Sequence, residues 1–100
     1  MDAETKTALD AAVLQRLLKH LDSRRDVQNI ELMILAGFCR NCLSKWYLEA
    51  AQEQGVELDI GAAQQHVYGM SYADWKENFQ QPATPEQLER FEAARVKQST

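Results

Sequence analysis

Apolar residues recur along this chain at steps of three and four, and no strand-length run alternates. Leu14, Leu17, Leu18 and Leu21, with Val13 a turn earlier, form one such strip. That spacing predicts an amphipathic helix over about 5–21, rich in good helix formers and with Glu4, Lys6, Gln15, Arg16 and Lys19 largely off the strip. The strip can pack inside its own domain or against a second copy, but no heptad is sustained long enough for a coiled coil. Asp26 is placed to cap a second helix. In it Val27, Ile30, Ile34 and Phe38 are flanked by Leu32, Met33 and Leu35. A helix apolar nearly all round predicts a buried, central element. Gly37 either continues that helix at about 1 kcal/mol relative to alanine or bends the chain, and the small pair Ala36-Gly37 favours a bend.

A third helix carries Cys39 to Gln54 and stops at Gly55. Asp59 caps a fourth, from about Ile60 to Tyr68, closed by Gly69. Ser71 opens a short fifth, with Asp74 in the capping-box position and Tyr72, Trp75 and Phe79 as an aromatic stripe. Thr84-Pro85-Glu86-Gln87 starts a last helix, with threonine as cap, proline first and glutamine three after the cap. Leu88, Phe91 and Val96 give it a thin apolar face, with fraying expected after Arg95. No repeat or low-complexity run interrupts the series. The pattern predicts one all-α domain over 1–100, an irregular array of five or six short helices.

Composition narrows the class. The 100 residues are 45% hydrophobic and 26% charged, ordinary for a globular domain. A domain this size buries only somewhat over ~60% of its unfolded surface, so a homodimer joined partly through the first helix is expected. The net charge is −4, and the cations are interleaved with acids: Arg24 and Arg25 lie between Asp22 and Asp26. Nucleic-acid binding is not expected without a basic face. No stretch approaches the ~18 apolar residues of a membrane span. The N-terminus lacks the apolar run of a secretory signal. These point to a cytoplasmic protein with two reduced thiols.

Candidate chemistry concentrates in Gly37–Tyr47, which holds both cysteines, one of two tryptophans, Arg40 and Lys45. Cys39 and Cys42 share a helix face, with Trp46 one turn on. The default reading is core, because free cysteine behaves as a small, often buried hydrophobe. Three functional readings stand beside it. A Cys-x-x-Cys at a helix start can hold a reactive thiolate, although the expected strand context is missing. Two such pairs across a dimer axis would give four thiolates for zinc; His20 and His66 are weak ligands alone, and one chain supplies no second Cys pair. Arg40, Lys45, Trp46 and Tyr47, with Tyr68, Tyr72 and Trp75, have the composition of a recognition patch. The competing reading makes these aromatics the core. Asn41 and Arg40, polar in an apolar region, need partners if buried. No catalytic constellation, phosphate loop or His-Glu-x-x-His occurs, and no cofactor is implied.

The runs Asp26–Ile30, Leu35-Ala36-Gly37-Phe38-Cys39-Arg40-Asn41-Cys42-Leu43-Ser44-Lys45-Trp46-Tyr47 and Val67–Lys76 resemble a family of short bacterial proteins known only as a domain of unknown function, number 1244. The resemblance spans nearly the whole chain. Ser71 stands where that family usually has proline, a small change at a helix start. The resemblance implies a multihelical fold and no assigned reaction. It also implies shared residues at Gly37, Cys39, Arg40, Asn41, Cys42, Trp46, Tyr47, Tyr68, Gly69, Tyr72 and Trp75. The family is commonly aliphatic at His66, which weakens that residue as a ligand.

Overall fold

A computed structural model describes residues 1–98 of the chain, with side chains given through Arg95. Among the described residues there are six helices and no strand: α1 (Ala3–Asp22), α2 (Asn29–Ala36), α3 (Arg40–Glu53), α4 (Ile60–Tyr68), α5 (Tyr72–Asn78) and α6 (Pro85–Gln98). None is long and apolar enough to cross a membrane. The part of Val96 in the apolar face, and fraying beyond Arg95, fall outside the described side chains.

Most helix starts follow from their first residues. The Asp2, Asp59 and Ser71 side chains accept the amides of Thr5, Ala62 and Asp74, which removes one orphan donor from each first turn. Thr84 and Gln87 exchange reciprocal bonds at α6. The start of α2 departs from expectation. Gln28, not Asp26, is the cap, and its amide donates to the Glu31 carboxylate at 2.8 Å. Asp26 instead takes the Arg24 guanidinium at 3.1 Å. Two residues of extra loop result, and that loop becomes important below.

Gly37 ends α2 in the left-handed conformation, with φ of 76°. Residues with a Cβ adopt that region at a penalty, so the chain bends there and α3 begins afresh after Cys39. Gly69 closes α4 in the same way at φ of 73°, and a Cβ there would lie 3.1 Å from the Asp22 carboxylate at the end of α1.

α3 packs along α4, and α4 carries α5 and the end of α1. Their shared core is Leu18, Val67, Tyr68 and Trp75, with Leu43, Met70, Tyr72 and Phe79 around it. α2 packs instead against α6, apart from that core. The expectation that α2 is the buried centre is therefore corrected. No residue of α2 is buried, and Leu35 is 81% exposed. Its apolar composition is real, but the fold places it at an edge. Most of α1 is also outside the core: only Leu18 and Leu21 of its twenty residues are buried.

Candidate functional site

The most buried charged group is Arg40, at 2% exposure in the first turn of α3. The helix start points its side chain back under the α1–α2 loop. There Nη1 donates to the Val27 carbonyl at 2.8 Å and to Asn29 Oδ1 at 3.1 Å, and Nη2 donates to the Arg24 carbonyl at 3.0 Å. The guanidinium lies 4.3 Å from the centre of the Trp75 ring. Among the described residues no carboxylate pairs with it. Neutral oxygens and a π-face are its partners, and burial lowers its pKa from the usual arginine value. Arginine still keeps its proton in such a site, so this is a buried cation held by dipoles.

A polar chain runs on from it. Asn29 donates through Nδ2 to the Tyr68 hydroxyl at 3.0 Å, and that hydroxyl donates to Asn41 Oδ1 at 2.7 Å. Burial pushes the Tyr68 phenol far above its ordinary value, because the charged phenolate would lose solvent. Tyr68 therefore stays a neutral two-way connector. The buried Ser44 returns its hydroxyl to the Arg40 carbonyl at 2.9 Å. Gln28, next to Asn29, separately ties down the segment after α5, donating to the Phe79 carbonyl at 2.9 Å and accepting from the Gln81 amide at 2.9 Å.

The two thiols sit beside this knot. Cys39 is the residue before α3 and Cys42 is in its first turn. Both are free, Cys39 buried and Cys42 half-buried, with sulfurs 4.0 Å apart. Burial pushes the Cys39 thiol up despite the nearby helix amides. Hydrogen bonds from the Cys42 and Asn41 backbone thus fail to outweigh desolvation. Among the described residues, no third histidine, cysteine or carboxylate joins them in a group that could hold a metal.

The sequence-selected residues thus divide in two. Arg40, Asn41, Tyr68 and Trp75 meet inside, with Tyr72 tilted against Tyr68 at 5.5 Å. Trp75 is 1% exposed and forms the centre of the core. Lys45, Trp46 and Tyr47 face outward, and Trp46 is 52% exposed, so it is not the core tryptophan that its spacing from Cys42 suggested. Trp46 lies 6.1 Å from Phe38, ring to ring. Tyr47 stacks at 4.4 Å on His66, which gives His66 a packing role across α3 and α4. Behind these rings lies an apolar cleft of about 180 Å³, lined by Leu14, Leu18, Leu43, Trp46, Tyr47 and His66 among others. Sequence reasoning missed Asn29, Gln28 and Ser44. Asn29 directly after a capping glutamine was the available signal, but only the fold shows what its amide reaches.

Fold and site together define a small all-α protein built on a buried arginine clamp, with an adjacent dithiol and an outward aromatic cleft. The chain belongs to the family described as "Protein of unknown function (DUF1244)", whose model matches residues 27–93. A search of curated proteins gives no match.

Proposed function

We propose that this is a bacterial, cytoplasmic assembly module that works by self-association, with the cleft behind Trp46 and Tyr47 open to a further partner or small ligand. The observation that supports the reading is surplus surface. The described chain exposes 7463 Å², whereas a compact monomer of 11.4 kDa exposes about 5,800 Å². The surplus is roughly 1,700 Å², about twice the ~800 Å² that each partner buries in a standard interface. The radius of gyration is 15.3 Å, against about 13 Å for a compact chain of this length. Much of the surplus is apolar: α1, α2 and α3 each leave large hydrophobics in water. Native mass spectrometry on untagged protein tests the proposal. A dimer at twice the apo mass is expected; a monomer at all working concentrations would rule it out.

A second reading is a dithiol activity, favoured by the 4.0 Å approach of Cys39 and Cys42. Closing the pair would transfer two electrons and two protons to a small disulfide oxidant, which leaves as two thiols. Its signature is a loss of two protons per chain on treatment with oxidised glutathione, reversed by dithiothreitol. Under the assembly reading, Cys39→Ala with Cys42→Ala leaves association unchanged and lowers stability only modestly.

A further inference from the structure

We infer that α1 is the seam of the homodimer and that two copies of it run antiparallel across a twofold axis. This rests on the self-association proposed above and adds the face and the orientation. The face follows from what the fold leaves uncovered. Leu9, Val13 and Leu17 recur at four-residue steps and are 50%, 69% and 38% exposed. They continue the arc of Leu14, Leu18 and Leu21, whose buried part α1 sets against its own chain. Half of a wide apolar face is thus used internally and half is free. Leu14 belongs to both, since it also lines the cleft behind Trp46 and Tyr47. A second helix on the free half would therefore extend an existing core.

The occupant follows from charge. The first ten residues carry Asp2, Glu4 and Asp10 against Lys6 alone. Residues 11–22 carry Arg16 and Lys19, and their single acid, Asp22, is already paired with Arg25. A parallel pair would set like charges beside like at both ends. An antiparallel pair sets the acidic end of each helix beside the basic end of the other, and it opposes the two helix dipoles. The same surface is complementary to itself only in that orientation, which is the requirement of a twofold interface. The arrangement also brings the otherwise unsupported first half of each α1 alongside the half of its mate that is anchored on α4.

The test uses the full chain. Leu9→Asp with Val13→Asp touches no core residue, so helicity should persist while the dimer dissociation constant rises about a hundredfold, as for loss of central anchors. Leu35→Asp with Leu88→Asp, on the exposed α2–α6 surface, should leave it unchanged. With photo-reactive p-benzoylphenylalanine placed at Lys6, cross-links should join that position to residues 16–24 of the partner. Cross-links to the partner's own first ten residues would overturn the orientation. Dissociation by the α2–α6 pair alone would overturn the choice of face and leave self-association standing. A monomeric native chain would overturn both.

Discussion

Replacing Arg40 with methionine should detach the α1–α2 loop from the core. Methionine keeps an unbranched stem in the cavity and removes the guanidinium. Two carbonyls lose their donors, Asn29 Oδ1 keeps only the backbone amide of residue 40 at 3.4 Å, and the Trp75 ring loses its cation. Hydrogen bonds to a charged group contribute about 1.5–3 kcal/mol each. Against the three stands the several kcal/mol regained when an unpaired buried cation is removed. The balance is a loss of about 3 kcal/mol, taking the loop's partial solvent access as tempering each bond. For a domain of this length that lowers Tm by roughly 15 °C. Arg40→Lys should lie between native and methionine, because one ammonium cannot span the acceptors that the planar fork spans. Urea denaturation followed by tryptophan fluorescence gives the magnitude. Hydrogen exchange gives the location: the amides of 24–31 should lose protection before those of α3 and α4. A change within about 0.5 kcal/mol, the range of an ordinary surface substitution, would refute the clamp. So would a uniform loss of protection across all helices.

Tyr68→Phe should destabilise by about 1–3 kcal/mol, since it strands the Asn29 and Asn41 amides in a part-buried site; thermal melting against native protein measures it. From pH 7 stability should stay flat to about 9 and fall above it. Both Cys39 and Tyr68 have folded pKa values raised, mainly by burial, from ordinary values of 9.0 and 10.0, so the folded state holds its protons where the unfolded chain releases them. Urea midpoints from pH 7 to 11 would show this, and Tyr68→Phe should remove part of the slope. In native buffer a thiol reagent should modify Cys42 well before Cys39, because a buried protonated thiol is inert; tryptic mapping after a brief exposure reads the order.

Several elements were legible in the chain because their causes are local. Asp59, Ser71 and Thr84 sit next to the amides they bind, whereas the apolar strip alone started the first helix near Thr5 and left the Asp2 cap unread. Gly37 and Gly69 break helices through their own backbone freedom. Three- and four-residue apolar spacing was enough to give five or six helices and no strand, and the described residues form six helices. The motif around Cys39 was enough to place the chain in its family.

What the tertiary structure decided was which side of each helix is inside. Cys39, Cys42 and Trp46 share a periodicity, yet Cys39 is buried and Trp46 faces water. Trp75, on a short helix with a polar far side, is the core tryptophan. α2 reads as a buried helix by composition and stands at the edge, against α6. Periodicity gives the direction of a face but not what lies opposite it, and burial depends on contacts between residues far apart in sequence. Arg40 is the sharpest case. Its neighbours in the chain suggest a cation for recognition, while its partners are Arg24, Val27, Asn29 and Trp75. Those lie eleven to thirty-five positions away, and only the folded chain brings them to one guanidinium.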